Sequence, residues 1–172
     1  VAVCPGAEFG SARRWFPERF AEVIERVSGS CAVEWVLVGV SKDAPAGEAI
    51  EAALPQGRGI ALENRIGRTK LEELLECLRE CDALLTNDTG TMHLAAMLGV
   101  RVVAVFGSTE PRLTGPLGVG HAVLQHQVPC GPCFQRECHL DLACMKGVRA
   151  LEVAQALEAL LQEDRSPQEL SS

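Results

Sequence analysis

The stretch that decides the fold is ALLTNDTGTMHLAAMLGVRVVAVFGS, residues 83–108. It begins with an apolar run at 83–85, continues through a helical pattern at 92–98 that Gly99 closes, and ends in a second apolar run at 102–106. Runs that are apolar on both faces are typical of parallel strands covered by helices on both sides. The stretch therefore predicts a strand–helix–strand unit of a parallel sheet.

The same alternation extends outward from this unit in both directions. Further strands are predicted at 1–4, 32–38 and 59–62, and further helices at 17–27, 50–54, 71–78 and 151–162. Pro17 suits the first position of its helix, and Thr69 with Glu72 forms a capping box before the helix at 71–78. The alternation predicts an α/β fold with a doubly wound parallel sheet.

Residues 1–162 are expected to form one domain, with a loop rich in Gly, Pro and Cys at 107–147 and a polar tail at 163–172. The chain has 172 residues and a formal net charge of −7. This acidity argues against a nucleic-acid surface, which needs clustered cations. No apolar run approaches the roughly 20 residues that cross a bilayer. The sequence begins without Met inside a predicted strand, so we expect it to be one part of a longer protein.

The polar turn after the strand at 83–85 is the first candidate site, because ligands of open parallel sheets bind outside the carboxyl ends of the strands. Gly90 allows a close approach, and Thr89 with the helix N-terminus offers donors to a diphosphate. His93 adds a donor or a positive charge, whereas Asp88 suits a sugar hydroxyl better than a phosphate. The alternative is that Asp88 and Thr89 only cap the helix and that His93 packs in the core.

Two other turns could line the same crevice. The turn at 5–15 carries Arg13 and Arg14, whose forked guanidinium groups suit phosphate, although both could equally be solvated surface charges. The turn at 107–111 follows the strand at 102–106 and could be only a turn. No G-x-G-x-x-G and no Walker loop follows any strand, which counts against a nicotinamide dehydrogenase and a P-loop NTPase.

Taken together, these motifs resemble the ADP-heptose:lipopolysaccharide heptosyltransferases of glycosyltransferase family 9. The resemblance rests on PGAEFG at 5–10 followed by Arg13, Arg14 and Trp15, on the Asp-Thr-Gly-x-x-His turn at 88–93, and on the strand that Gly107 ends. These elements occur in the family's order over about residues 1–115, and the cysteine-rich segment also resembles one present in many members.

The resemblance implies the donor-binding half of a GT-B enzyme, in which two Rossmann-like domains face each other across a cleft. The family's general base is an Asp of the amino-terminal domain, so the catalytic residues stay unknown and we expect this chain to be inactive alone. The residues that the resemblance assigns to the nucleotide sugar, for its phosphates, heptose and adenine, are Arg13, Thr69, Asp88, Thr89, Gly90 and His93.

The function implied is transfer of heptose from ADP-heptose to the lipopolysaccharide inner core, with no cofactor required. The lipopolysaccharide core acceptor would bind to the amino-terminal domain. The enzyme would work in the cytoplasm at the inner face of the cytoplasmic membrane, and the full enzyme would contact that membrane peripherally. Two alternatives stay open. The chain could use another nucleotide sugar, or it could be a metal-holding or redox module built on its cysteine loop.

Four cysteines lie close together in the loop at 128–147, namely Cys130, Cys133, Cys138 and Cys144. Four thiolates suffice for a tetrahedral structural zinc, although zinc ribbons usually pair two C-x2-C knuckles. The alternative is a loop of reduced thiols that pack as small side chains. The remaining cysteines, Cys4, Cys31, Cys77 and Cys81, are expected to be core residues.

Overall fold

The computed structural model of the chain describes residues 1–163, so the predicted polar tail lies outside the described residues except for Glu163. Within these residues, six strands, all parallel, form one sheet in the order β3-β2-β1-β4-β5-β6. The strands are β1 (Ala2–Cys4), β2 (Trp35–Leu37), β3 (Leu62–Asn64), β4 (Ala83–Asn87), β5 (Arg101–Phe106) and β6 (Ala122–Gln125). The predicted α/β class with a doubly wound parallel sheet is confirmed.

Helices cover both faces of this sheet. They are α1 (Pro17–Ser30), α2 (Ala44–Ala53), α3 (Leu71–Arg79), α4 (Gly90–Met97), α5 (Pro111–Thr114), α6 (Ala143–Gly147) and α7 (Ala150–Glu163). The first face is packed by α1, α2 and α7, and the opposite face by α3 and α4. Within residues 1–163, no helix is long and apolar enough to cross a membrane.

The apolar runs at 83–85 and 102–106 lie in β4 and β5, two interior strands of the sheet. Every residue of β4 is buried, and adjacent side chains point to opposite faces of a strand. Leu85 packs in the cluster that contains α1 and α7, whereas Leu84 packs in the cluster that contains α3 and α4. In β5, Val103 and Val102 divide in the same way. A strand that is buried on both faces does not show the alternation of apolar and polar residues that a half-exposed strand shows.

Other elements differ from the prediction. β6 lies inside the segment predicted as a loop. The prediction missed it because this edge strand has only four residues and is only partly buried, so its apolar pattern is weak. β3 begins at the residue where the predicted strand ended. α2 begins earlier than predicted and includes Gly47, where an added Cβ would approach Cδ1 of Ile66 to 2.7 Å. Gly47 therefore serves the close packing of this helix.

The capping box predicted at Thr69 is wrong by one residue. The N-cap of α3 is Lys70, and its backbone N–H donates to Oε2 of Glu73 at 2.8 Å. The acidic run Glu72-Glu73 offers two candidate capping carboxylates, and the sequence pattern alone selected the wrong one. Thr69 is thereby free of a capping role and lies in the loop before the helix.

The strand order reverses between β1 and β4, because β2 and β3 are added on one side of β1 and β5 and β6 on the far side of β4. Such a reversal leaves a crevice at the carboxyl ends of β1 and β4. Asn87, the last residue of β4, joins the two sides of that crevice. Its Nδ2 donates to the carbonyl oxygens of Pro5 at 2.7 Å and Gly6 at 3.3 Å, and its Oδ1 accepts from the backbone N–H of Trp15 at 3.0 Å. The side chain is fully buried, so these bonds fix the turn after β1 against the end of β4.

Replacing Asn87 with Ala is expected to lower the free energy of unfolding by about 2–4 kcal/mol, because it leaves a buried N–H and buried carbonyls without partners. Urea unfolding followed by circular dichroism measures the change. Gln127→Ala, at an exposed amide, is the control and should change the stability by less than about 0.5 kcal/mol. A similarly small loss for Asn87→Ala would contradict the role given to this side chain.

Candidate functional site

Among the pockets of residues 1–163, two lie at opposite ends of the parallel strands. One of about 760 Å³ opens at the amino-terminal edge and is lined by Val1, Trp35 and Asp82 among others. The other, of about 440 Å³, lies at the carboxyl ends of β1 and β2 beside the start of α4. Ligands of open parallel sheets bind at the carboxyl edge, so we take the smaller pocket, which we call the crevice pocket, as the candidate site.

The crevice pocket brings together three of the six predicted donor residues, Thr69, Thr89 and Gly90. Thr69 comes from the loop before α3, whereas Thr89 and Gly90 open α4. Arg13, Asp88 and His93 do not line it. Arg13 and Asp88 instead form a pair toward β5, and His93 is half-buried on α4 one turn from its start. The predicted residues thus form two adjacent groups that meet at the N-terminus of α4.

The start of α4 is open to a ligand. Thr89 is the N-cap residue, but its side chain makes no capping hydrogen bond. The interpretation of Thr89 as only a cap is therefore wrong. The first turn of any α-helix has N–H groups without intrahelical acceptors, and together with the helix dipole they favour a bound anion. An exposed Gly90 at the first helical position leaves space for that anion.

Asp88 is nearly inaccessible, with 3% of its surface exposed. Its Oδ2 lies 3.0 Å from Nη1 of Arg13 and accepts from the hydroxyls of Thr109 at 2.7 Å and Thr114 at 3.4 Å. These contacts hold the Arg13 guanidinium in place. The sequence interpretation left Arg13 open as a solvated surface charge, and the buried ion pair shows that this alternative is wrong.

A second buried carboxylate, Asp43, lies on the other side of the turn after β1. It is 5% exposed, and its Oδ1 lies 3.6 Å from Nη2 of Arg14. Its carboxylate packs so closely on Gly6 that an added Cβ there would overlap it. The sequence analysis missed Asp43, although an acidic residue shortly after the second strand is a known signal of nucleotide-binding α/β folds.

Unpaired polar atoms concentrate around this crevice. Within residues 1–163, the buried side-chain atoms without a hydrogen-bond partner are Nε of Arg13, Nε of Arg14, Oδ1 of Asp43 and Oγ of Ser108. All four belong to turns that follow the carboxyl ends of β1, β2 and β5. Buried polar atoms are normally paired, so such a cluster indicates a place where a polar ligand completes the bonding. Ser108 lies in the turn at 107–111, which is therefore part of the site.

The cysteine-rich loop packs directly on two of these turns. The backbone N–H of Ala12 donates to the carbonyl of Arg136 at 3.0 Å, and the N–H of Phe134 donates to the carbonyl of Ser108 at 2.7 Å. The loop therefore supports the turn that carries Arg13 and the turn after β5.

The four loop cysteines differ in exposure. Cys130 and Cys133 are exposed, Cys138 is partly buried and Cys144 is buried in α6. Burial raises the pKa of the Cys144 thiol, and the three other loop thiols raise it further. Among residues 1–163, no three His, Cys, Asp or Glu side chains form a group that could hold a metal ion. The zinc site stays a prediction from the spacing of the cysteines.

Metal analysis of protein purified without added zinc tests that prediction. One equivalent of zinc per chain is expected if the loop closes around a metal, because four thiolates satisfy its tetrahedral coordination. Inductively coupled plasma mass spectrometry gives the stoichiometry, and Cys130→Ser with Cys133→Ser is the matched variant that should lose the metal. Less than about 0.1 equivalent in the unmodified protein would contradict zinc binding.

Comparison with known proteins gives consistent matches. A family model described as glycosyltransferase family 9 (heptosyltransferase) matches residues 1–144. The chain is 40% identical over 118 residues to lipooligosaccharide heptosyltransferase 2 of Haemophilus influenzae, covering 68% of this chain and 34% of that protein. It is 36% identical over 169 residues to lipopolysaccharide heptosyltransferase 2 of Escherichia coli (strain K12), covering 95% of this chain and 47% of that protein.

A solved structure agrees with the sequence matches. The structure of E. coli ADP-heptose LPS heptosyltransferase II is similar to this chain with a TM-score of 0.83 and 32% sequence identity. The match covers 96% of this chain and 47% of that one. The chain therefore spans about half of that relative's length.

Proposed function

This chain belongs to glycosyltransferase family 9, and from that membership we propose that it forms the donor-binding half of a heptosyltransferase of lipopolysaccharide inner-core synthesis. The observation that carries the proposal is the cluster of unpaired buried polar atoms at the crevice, on Arg13, Arg14, Asp43 and Ser108. A nucleoside diphosphate sugar offers anionic oxygens to the two guanidinium groups and hydroxyls to the carboxylate. Its chemistry therefore matches the atoms that lack partners.

The donor in this proposal is ADP-heptose, the nucleotide sugar in the name of the E. coli relative. Its diphosphate would lie at the N-terminus of α4, where the open N–H groups and the helix dipole favour negative charge. Arg13 and Arg14, from the turn after β1, would contact it there. During transfer the diphosphate is the leaving group, so fixed cations and N–H groups would stabilise the charge that develops on it.

The nucleoside would occupy the crevice pocket, whose volume of about 440 Å³ suits a small ligand. Thr69 lines the pocket and would contact the adenine. Oδ1 of Asp43, which accepts no hydrogen bond, would accept a ribose hydroxyl, the role that an acidic residue after the second strand has in related folds. Heptose would then extend past the start of α4 toward His93 and the Asp88 pair.

Transfer needs an acceptor hydroxyl and a base to activate it. We propose that both come from the other half of the enzyme, in which the lipopolysaccharide core binds. We infer that the reaction takes place in the cytoplasm at the inner face of the membrane, with only peripheral membrane contact. No cofactor is required in this proposal, since leaving-group stabilisation rests on residues of this chain.

Calorimetric titration of the chain with ADP in the presence of EDTA tests the donor site. The key variant combines Arg13→Gln with Asp88→Asn, which removes the cation without leaving Asp88 as an unpaired buried charge. We expect the unmodified chain to bind ADP and the double variant to bind about 10–100-fold more weakly, because a charge-assisted hydrogen bond to phosphate is lost.

Arg26→Gln is the control, since Arg26 pairs with Glu22 on the exposed face of α1, away from the crevice. It should bind ADP as the unmodified chain does. Absence of ADP binding by the folded chain would contradict the proposed function. Equal affinities for ADP and UDP would support the alternative of another nucleotide sugar, because the diphosphate contacts do not depend on the base.

A further inference from the structure

We propose that Arg136, on the cysteine-rich loop, is a further phosphate-binding residue of the crevice and acts beside Arg13 across the ring of Phe9. The ligand group it would contact is the diphosphate of the nucleotide sugar, so the inference rests on the proposed function. It gives the cysteine-rich loop a direct part in binding the donor.

The backbone of Arg136 is fixed against the turn that carries Arg13. Its carbonyl accepts from the N–H of Ala12 at 3.0 Å. The same carbonyl packs so closely on Gly10 that any Cβ at that position would overlap it. Only glycine permits this approach, so the sequence of the turn and the position of the loop depend on each other.

The side chains of Arg13 and Arg136 meet on one aromatic ring. The guanidinium carbon of Arg13 lies 3.9 Å from the centroid of the Phe9 ring, and that of Arg136 lies 5.0 Å from it. The two cations are therefore within about 9 Å of each other, inside the Debye length of about 10 Å at 0.1 M salt. The ring offsets part of their repulsion through cation–π contacts, and a bound anion would offset the rest.

The charge of Arg136 is not neutralised by a neighbour. Arg13 is paired with Asp88, and Arg14 lies beside Asp43, so each of these cations already faces a buried carboxylate. No Asp or Glu in the described part of the chain lies within ion-pair distance of Arg136, and its side chain is exposed. In a chain of net charge −7, this arrangement places an uncompensated cation beside Arg13, which the proposed function assigns to the diphosphate.

The test compares Arg136→Gln with the unmodified chain by calorimetry, using ADP, inorganic pyrophosphate and adenosine as ligands. We expect the variant to bind ADP and pyrophosphate about twofold to fivefold more weakly at low salt, as for one solvent-exposed charge. Adenosine should bind equally well to both proteins, because it has no phosphate. The two affinities for ADP should converge at 0.5 M salt as the charge is screened.

Phe9→Leu is a second variant, which keeps the apolar bulk but removes the ring that holds the two guanidinium groups together. It should also weaken ADP binding and leave adenosine binding unchanged. Arg26→Gln is the charge-matched control. Equal ADP affinities of Arg136→Gln and the unmodified chain at low salt would overturn this inference and leave the proposed function standing. Absence of ADP binding by the folded unmodified chain would overturn both.

Discussion

The hydrogen bonds of the Asn87 side chain are the constraint on which the site depends. The strand order reverses between β1 and β4, and the turns that follow these two strands diverge there. The backbone hydrogen bonds of the sheet end with the strands and do not hold these turns together. A buried amide supplies a donor for Pro5 and an acceptor for Trp15 from one side chain. Trp15 in turn donates its indole N–H to the carbonyl of Val148 at 3.3 Å. The end of β4, the turn after β1 and the segment before α7 are thereby fixed together.

Two buried carboxylates lie beside the cations that this framework presents. Asp88 holds Arg13, and Asp43 lies beside Arg14, with both carboxylates almost inaccessible to water. Buried ion pairs contribute little net stability, because desolvation offsets most of the attraction between the charges. The Asp88 pair holds the Arg13 guanidinium in position, and a cation that is already in position needs little reorganisation when an anion binds. The cysteine-rich loop contacts the same turn through the carbonyl of Arg136, which accepts from the N–H of Ala12.

The prediction from sequence succeeded where burial is uniform and failed where it is partial. β4 and β5 are covered on both faces, so their apolar runs identified them. β6 is a partly buried edge strand, and its short sequence inside a segment rich in Gly and Pro carried no comparable signal. At α3, two adjacent glutamates satisfied the same capping pattern, and only the backbone geometry distinguishes Glu73 as the residue that caps.

The sequence by itself determined the fold class and the family, because hydrophobic periodicity and short motifs are local properties of the chain. It also predicted a site at the carboxyl ends of the strands, with Arg13 and Asp88 among its residues. Only the tertiary structure decided that these two side chains contact each other, that Asp43 lies against Gly6, and that Arg136 approaches Phe9. The residues of each pair are far apart in the sequence, and their contacts follow from the strand order and from the packing of the loops. Local sequence patterns do not predict either of these.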